Sequence, residues 1–297
     1  MRGINEKDLF EVSDAFYPDG RLIDAKRLEG GHSCDVFMLD IESIDGETKL
    51  VFRSESSYPA DNSIETEFNL LKALNKTNLP VSDAIYLDTS CKIIHRPFML
   101  TSYLNGSAGT HNEKVISDHQ LMAIQLRNIH QIDIDNLPDL SLRVNPLDEL
   151  LSFIPQGQDW NEIRSFMENL SMDEYKGKKC LLHGDYWPGN IVWKNENISG
   201  ILDWEYAAIG DPLADLAVTC LDARYSNGEM GMNSFKQKYL GNEKIDEYRF
   251  NLWLIYISAS TLYHLDVWNL NMQTESIMKR ESKSTILESF KIIKDQS

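Results

Sequence analysis

The sequence predicts an α+β fold in which a small β-rich part is followed by a larger, mostly helical part. Strand-like segments run from Ala25 to about Phe52, and Asp45-Gly46 between two apolar runs indicates a hairpin. Beyond Asn105-Gly106 the apolar residues recur at helical spacing. A chain of 297 residues is long enough for two parts that share one interface or one large core.

The remaining elements follow from local patterns. A helix is predicted after the first strands, with an N-cap among residues 61–63 and apolar residues at helical spacing as far as Leu74. Extended segments are expected near 84–87 and 98–103. Helices are then expected at three later segments, namely Ser117 to Ile132, Pro212 to Asp222 and Asp246 to Leu270.

Composition excludes several classes of function. The 29 Lys and Arg residues against 46 Asp and Glu give a formal net charge of −17, which repels nucleic acid and anionic lipid. The most apolar run, Leu252 to Leu265, is too short to span a bilayer, and the N-terminus carries no apolar leader. The four cysteines form no C-x-x-C pair, as expected of reduced thiols. We therefore expect a cytoplasmic protein without membrane or nucleic-acid partners; the oligomeric state stays open.

Three oxygen-bearing side chains are predicted to converge at the mouth of a hairpin. A turn-rich loop after a short strand carries Asp185 and Asn190. Residues 191–193 and 198–202 are expected to pair as antiparallel strands, which brings Asp203 beside Asn190. Individually these residues fit turn and capping roles, but together they predict a functional site.

Phosphoryl transfer needs such a set of groups. Its transition state requires positioning and neutralisation of charge more than covalent chemistry. One carboxylate must accept or orient the acceptor hydroxyl, and Asp185 fits that role. Hard oxygen ligands must hold Mg²⁺ against the phosphates, and Asn190 with Asp203 fits that role.

These motifs resemble the aminoglycoside phosphotransferase and choline kinase-like family, whose fold is similar to that of protein kinases. The resemblance lies in H-G-D-x-x-x-x-N at 183–190, Asp-Trp-Glu at 203–205 and G-D-P-L-A-D-L-A at 210–217. It implies a two-lobed protein-kinase-like fold. The nucleotide-binding lobe would comprise residues 1–104, and the helical catalytic lobe would comprise 105–297.

The resemblance also implies roles for residues of the catalytic loop. Asp185 would be the catalytic base, Asn190 and Asp203 the metal ligands, and His183 a brace for the loop. Asp211 has a local interpretation as an N-cap before Pro at the first helical position, and we expect it and Asp215 to be structural. We expect His130 to be packed rather than catalytic.

The resemblance assigns nucleotide binding to residues of the first lobe. A glycine-containing loop would approach the phosphates, and a hinge segment would bind adenine through backbone groups. Glycine pairs are more often plain turns, and the loop lacks the full protein-kinase spacing. The predicted nucleotide contacts are Gly31, Ser33, Arg53, Glu67, Ser102 and Tyr103.

An ion pair is predicted between Arg53 and Glu67. Arg53 ends an apolar strand, where protein kinases have Lys, and its planar fork can bind phosphate oxygens. Glu67 lies on the apolar stripe of the following helix, whereas Glu65 points away. A carboxylate on an apolar stripe is costly in free energy unless it is paired, so we expect Glu67 to pair with Arg53. The alternative is that Glu67 lies at the edge of the stripe and reaches water.

The preferred hypothesis is a small-molecule kinase that uses ATP or GTP with Mg²⁺. Its hydroxylated acceptor could be an aminoglycoside, and choline-, methylthioribose-, homoserine- and macrolide-type acceptors remain open. H-G-D in place of H-R-D and Asp-Trp-Glu in place of D-F-G disfavour a protein kinase. The rivals are a nucleotide-binding protein on a degenerate kinase fold and a metal-dependent hydrolase, whose usual signatures are missing.

A cationic acceptor is the least secure of these hypotheses. It rests on the net charge of −17, on acidic residues after the metal motif (Glu205, Asp222 and Glu229), and on the density of aromatic residues. Core packing is the favoured explanation of the aromatic residues, and a cation–π wall for an ammonium substrate is the alternative. They are Tyr186, Trp187, Trp193, Trp204 and Tyr206, with Trp253, Tyr256, Tyr263 and Trp268 on the long apolar helix.

Overall fold

The computed structural model describes residues 3–28, 34–44, 46–55, 60–109, 115–172 and 175–296. Contacts between residues group the chain into two compact units. The first, here called the β unit, comprises Met1–Gly109, Asp135–Ser141 and Pro188–Ala207. The second, here called the helical unit, comprises Thr110–Ile134, Leu142–Trp187 and Ala208–Ser297. The lobe boundary between residues 104 and 105 stays a prediction.

The β unit contains a five-stranded antiparallel sheet in the spatial order β1-β2-β3-β5-β4. Strands β2 and β3 pair in register from Cys34 opposite Glu55 to Ser43 opposite Gly46, which confirms the predicted hairpin. Asp45, at its turn, lies outside the described residues. The strands are β1 (Arg21–Arg27), β2 (Cys34–Ser43), β3 (Gly46–Glu55), β4 (Ala84–Asp88) and β5 (Phe98–Ser102).

Two helices of the β unit begin at side-chain caps. Helix α1 (Glu6–Phe16) starts at Asn5, whose side chain accepts from two backbone N–H groups in a capping box with Asp8. Helix α2 (Ile64–Leu74) starts at Ser63, whose side chain accepts from the Thr66 N–H. Both helices bury apolar faces. Helix α2 was predicted, whereas α1 was not.

A second sheet of the β unit carries the predicted hairpin after Asn190. Its strands are β6 (Ser107–Ala108), β9 (Ile191–Lys194) and β10 (Asn197–Ile201), in the order β10-β9-β6. The turn residues Asn195 and Glu196 have φ values of 51° and 63°. Two successive left-handed residues are the conformation of a type I′ turn, which matches the twist of antiparallel strands.

The helical unit contains six helices and a small sheet among the residues that the structure describes. The sheet has the order β7-β11-β8, formed by β7 (Leu142–Arg143), β8 (Cys180–Leu182) and β11 (Ala208–Gly210). The helices are α3 (Val115–His130), α4 (Leu150–Phe153), α5 (Asn161–Glu168), α6 (Pro212–Leu240), α7 (Glu247–His264) and α8 (Met272–Gln296).

Helix α6 is longer than the sequence pattern predicted. It begins as expected, because the Asp211 carboxylate accepts from the Leu213 N–H and Pro212 stands at the first helical position. It does not end at Asp222 but continues through a kink at Asn227 and Gly228. Gly228 has a φ of 61°, a backbone conformation that glycine adopts readily.

Helix α7 is the apolar helix expected from the sequence. It begins after its N-cap Asp246 and ends at His264, six residues before the predicted end. Its apolar residues pack with α8, which was not predicted, in a cluster that includes Leu252, Ile255 and Ile286. In the described ranges no helix combines the length and apolarity needed to cross a membrane.

We predict that Gly106→Ala destabilises the β unit more than Gly109→Ala does. Both glycines have left-handed φ values, 153° and 99°, so both variants meet backbone strain. Only at Gly106 would the new Cβ overlap its surroundings, lying 2.6 Å from Val192 Cγ1. We expect Gly106→Ala to cost about 1–3 kcal/mol more than its control in urea unfolding. Equal midpoints for the two variants would contradict this packing.

Candidate active site

One arginine in the β unit binds three carboxylates. Arg53 Nη1 lies 3.2 Å from Glu67 Oε1, and Arg53 Nη2 lies 2.7 Å from Asp203 Oδ1 and 2.6 Å from Glu205 Oε2. The predicted Arg53–Glu67 ion pair is therefore present. The sequence argument did not pair Arg53 with Asp203 or with Glu205, which lie 150 and 152 residues away in the chain.

Backbone pairing and short contacts hold this cluster in place. Arg53 lies on β3 opposite Val36 of β2 and Met99 of β5. Glu67 Oε1 also accepts a hydrogen bond of 3.3 Å from the Trp204 N–H, which links α2 to the segment that carries Asp203. The Arg53 side chain is 12% exposed and that of Glu67 5%, so the cluster is largely shielded from water.

The burial of the cluster shifts the pKa values of its members. The pKa of Glu67 is raised to about 7, mainly by burial and also by the charges of Asp203 and Glu205, while Arg53 and the Trp204 N–H oppose the rise. For Arg53, burial lowers the pKa, but Glu67 and Asp203 outweigh it and the pKa stays well above its usual value. Arg53 therefore remains charged, whereas the neighbouring Glu67 is readily protonated.

The hairpin β9–β10 brings Asn190 and Asp203 together in the β unit. The Leu202 N–H donates to the Asn190 carbonyl at 2.9 Å, so Asp203 directly follows a residue bonded to Asn190. Asp203 has a φ of 65°, which a non-glycine residue adopts only where its surroundings demand it. Carboxylate and amide oxygens suit Mg²⁺, which takes few protein ligands alongside phosphates.

The H-G-D loop of the helical unit is held by the buried carboxylate of Asp215. Asp215 Oδ2 accepts from the His183 N–H at 2.7 Å, and Oδ1 accepts from the Gly184 N–H at 2.9 Å. The Asp185 N–H donates to His183 Nδ1 at 3.3 Å, as expected of a brace. Because Asp215 and His183 are both 0% exposed, this contact fixes the loop from within the unit.

Asp215 continues into a chain of polar contacts that includes His130. His130 Nε2 lies 3.2 Å from Asp215 Oδ2, and His130 Nδ1 lies 2.7 Å from the Tyr239 hydroxyl. Burial raises the pKa of Asp215, but the His130 hydrogen bond and charge, with His183, hold it below its usual value. His130 is therefore part of the support of the H-G-D loop.

Asp211 supports the same region from the start of α6. Its Oδ2 accepts from the Arg249 Nε and, at 2.8 Å, from the Trp253 Nε1, while Oδ1 caps the helix. The carboxylate is 0% exposed. These contacts agree with the structural role expected for Asp211.

Four other residues were predicted to contact the nucleotide, and only two of them lie in the described part of the chain. Gly31 and Ser33 lie outside the described residues. The Ser102 N–H donates to the Asp83 carbonyl at 3.0 Å, and the Tyr103 N–H donates to the Lys49 carbonyl at 3.3 Å. Adenine would have to replace one of these bonds to use either N–H, so the proposed hinge contact stays a prediction.

We predict that Glu67→Gln gains stability relative to the wild type as pH rises. The folded-state pKa of Glu67 is raised to about 7, so its contribution to stability is full below its unfolded pKa and falls as pH approaches 7. The neutral glutamine has no such loss. Between pH 5 and 8 the unfolding free energy of the variant, minus that of the wild type, should rise by about 1–3 kcal/mol.

The control for this prediction is Glu65→Gln, which removes an exposed carboxylate from the same helix. Its unfolding free energy should follow the wild type at every pH. If the curve of Glu67→Gln also runs parallel to that of the wild type, Glu67 does not have a raised pKa.

Comparisons with known proteins identify a family and a fold to which the chain is similar. A mouse protein named acyl-CoA dehydrogenase family member 10 is 25% identical over an alignment 253 positions long, and this alignment covers 75% of this chain and 23% of that protein. The GDP complex of aminoglycoside 2′-phosphotransferase-IIIa has a TM-score of 0.68 at 15% identity, covering 96% of this chain and 99% of that one. A thermostable mutant of aminoglycoside phosphotransferase APH(4)-Ia, in ternary complex with AMP-PNP and hygromycin B, has a TM-score of 0.65 at 13% identity, covering 95% and 98%.

These findings differ in what they show. The chain spans about a quarter of the length of the curated relatives it matches. The solved structures share its fold, that of the protein-kinase-like phosphotransferases, as the sequence predicted. The model of the phosphotransferase enzyme family matches residues 24–250, and the chain therefore belongs to this family.

Proposed function

We propose that the protein transfers the γ-phosphoryl group of ATP or GTP to a hydroxyl of a small acceptor. The observation that carries this proposal is the anchoring of the H-G-D loop, whose His183 and Gly184 N–H groups are held by buried Asp215. A fixed loop keeps the carboxylate of Asp185 in one position, and phosphoryl transfer depends on such positioning.

In this proposal Asp185 is the general base. The bond between the γ-phosphorus and the bridging oxygen breaks, and a bond from the γ-phosphorus to the acceptor oxygen forms. The proton of the acceptor hydroxyl passes to the Asp185 carboxylate, and the nucleoside diphosphate leaves with the bridging oxygen. The base thereby removes the charge that would otherwise develop on the acceptor oxygen.

Asn190 and Asp203 are the proposed ligands of Mg²⁺. The ion, when bound, neutralises charge on the phosphate oxygens. Arg53 is the proposed phosphate contact, oriented by Glu67 and Glu205. Gly31 and Ser33 toward the phosphates, and Ser102 and Tyr103 toward the base, complete the proposed nucleotide site.

The first candidate for the acceptor is a hydroxylated amine such as an aminoglycoside. A structural neighbour is described in complex with hygromycin B, and the net charge of −17 favours encounter with cations. Choline-, methylthioribose-, homoserine- and macrolide-type acceptors belong to the same proposal, because each presents a hydroxyl to the base.

A second candidate is a hydroxylated acyl group, free or as a coenzyme A thioester. The observation that favours it is that the matched relatives are named as acyl-CoA dehydrogenases. The net charge of −17 opposes it, since coenzyme A is polyanionic. The two candidates predict opposite effects of salt on acceptor binding. Salt screens the attraction of an amine and so weakens its binding, whereas it screens the repulsion of an anion and so strengthens its binding.

The experiment that tests the proposed function is an acceptor panel with release of ADP as the readout. The purified protein, with ATP and Mg²⁺, would receive hygromycin B, choline, methylthioribose, homoserine, a macrolide and a 4-carbon or longer hydroxyacyl-CoA, at low and high salt. Phosphorylation of an acceptor, verified by mass spectrometry, supports the proposal. Tight ATP binding without transfer or hydrolysis would instead identify a nucleotide-binding protein on a degenerate kinase fold.

We predict that Asp185→Asn loses most turnover and keeps its affinity for ATP. Asparagine retains the shape of the side chain but cannot take the proton, and a positioned base accelerates transfer by about 10²–10⁴-fold. The control is Asp266→Asn, an exposed change of the same kind in the helical unit. A kcat for Asp185→Asn within a factor of about three of the wild type would contradict the role of Asp185 as the base.

We also predict that Asp203→Ala loses Mg²⁺-dependent nucleotide binding. Asp203 supplies the formal negative charge of the proposed pair of ligands, so Asn190→Ala should weaken binding less while still slowing transfer. Isothermal calorimetry with ATP and Mg²⁺ measures both. Asp14→Ala, an exposed change on α1, is the control. Unchanged affinity in Asp203→Ala would exclude Asp203 as a ligand.

A further inference from the structure

The segment that follows Asp203 is tied to the residue before the N-cap of α2 by two hydrogen bonds. The Asn62 N–H donates to the Glu205 carbonyl at 3.0 Å, and Asn62 Nδ2 donates to the Ala207 carbonyl at 2.8 Å. Asn62 and Ala207 are 145 positions apart in the chain. Because one residue binds two backbone positions of the segment, it fixes both the place and the direction of residues 205–207 within the β unit.

The side-chain bond of Asn62 is buried and depends on the amide group. Asn62 is 9% exposed and Ala207 is 0% exposed. A buried carbonyl that loses its donor is left with the full cost of its desolvation. Asparagine supplies an N–H donor here, whereas an ionised aspartate of nearly the same shape can only accept. The contact therefore requires the chemistry of the amide and not only the size of the side chain.

Hydrogen bonds on both sides of Asp203 hold its backbone. Before it, the Leu202 N–H donates to the Asn190 carbonyl at 2.9 Å, and after it, the Glu205 carbonyl accepts from the Asn62 N–H. Between these two bonds Asp203 has the left-handed φ of 65°. A non-glycine residue keeps such a conformation only where its surroundings over-determine it. Loss of the contacts that follow Asp203 would let its backbone relax and move its carboxylate from its present place.

The Asn62 contact differs in kind from the ion pairs of the same segment. Arg53 Nη2 binds the carboxylates of Asp203 and Glu205 at 2.7 and 2.6 Å. A proton or a metal ion that binds one of these carboxylates competes with the arginine for it. Asn62 instead binds backbone carbonyls, which stay neutral at every pH. It can therefore hold the segment while the Asp203 carboxylate exchanges one cationic partner for another.

We propose that Asn62 is a positioning residue, which holds residues 205–207 so that the carboxylate of Asp203 is placed to bind Mg²⁺. The inference rests on the proposed function, in which Asp203 is a metal ligand. It adds to that site a residue that acts through the backbone of the segment and not by ligation. Groups that orient metal ligands in this way typically change metal affinity by about 10–100-fold when they are removed.

The test compares Asn62→Ala and Asn62→Asp with the wild type and with Asn5→Ala. Asn5→Ala removes the side-chain hydrogen bonds that cap α1, a helix that packs against the edge strand β1, so it is the control for a general loss of stability. Asn62→Asp keeps the shape of the side chain and, at pH 8, adds a negative charge, which by itself would favour Mg²⁺. Circular dichroism and urea unfolding establish that each variant is folded.

The first measurement is the affinity for ATP, by calorimetry at pH 8, with Mg²⁺ and with EDTA. The ratio of the two association constants gives the contribution of Mg²⁺ to binding. We expect Asn62→Ala and Asn62→Asp each to lower this ratio by about tenfold or more, which corresponds to about 1.4 kcal/mol. Affinity in EDTA should change less than this. Asn5→Ala should keep the ratio of the wild type.

The second measurement is amide hydrogen exchange over residues 203–207 in the ligand-free protein. Loss of the Asn62 side chain should accelerate exchange there by about tenfold or more relative to Asn5→Ala, because the segment opens locally. This measurement involves neither nucleotide nor metal, so it reports on the Asn62 contact independently of the proposed function.

Three results would overturn the inference. Two of them leave the proposed function intact: a Mg²⁺ ratio that the folded Asn62 variants keep within a factor of about two, or exchange over residues 203–207 that matches Asn5→Ala. The third is a wild type whose affinity for ATP does not depend on Mg²⁺. That result would overturn the proposed metal site, and the role of Asn62 with it.

Discussion

The buried carboxylate of Asp215 is the contact on which the geometry of the helical unit depends. It accepts two backbone N–H groups of the H-G-D loop and, through His130, connects to Tyr239. A carboxylate that accepts several charge-assisted hydrogen bonds remains ionised in a buried place, and the lowered pKa of Asp215 agrees with this. Because the same residue lies in the first turns of α6, it sets the position of the helix and of the loop together.

In the β unit, several carboxylates lie close together in a largely buried place. Arg53 is the cation that Glu67, Asp203 and Glu205 share, and all three lie within 3.2 Å of its guanidinium. One positive charge does not balance three negative ones, so the free energy falls if a carboxylate takes up a proton or if a cation binds. The raised pKa of Glu67 is the first of these responses, and the proposed Mg²⁺ at Asp203 would be the second.

Local sequence patterns predicted those parts of the structure that local interactions determine. The hairpins, the N-cap of α2 and the pairing of Arg53 with Glu67 follow from turn residues and from a polar residue on an apolar stripe. Helix α8 was not predicted, and its buried residues pack against α7, as Ile286 does in the cluster with Leu252 and Ile255. Glu205 was noted only as acidic, because its contact with Arg53 joins residues distant in the chain.

The aromatic residues near the motifs differ in whether their rings are open to a cation from solvent. Trp253 lies beside Asp211, with its Nε1 donating to that carboxylate, so it serves packing and helix capping. Trp253 and three more of the aromatic side chains expected near the site are almost fully buried, the three being Tyr186, Trp193 and Trp204. A ring whose faces are covered by other side chains cannot receive a cation from solvent.

The four buried rings therefore cannot bind an ammonium group from solvent, and core packing explains them. Trp187 and Tyr263 are exposed, at 42% and 62%, and there water competes for the cation.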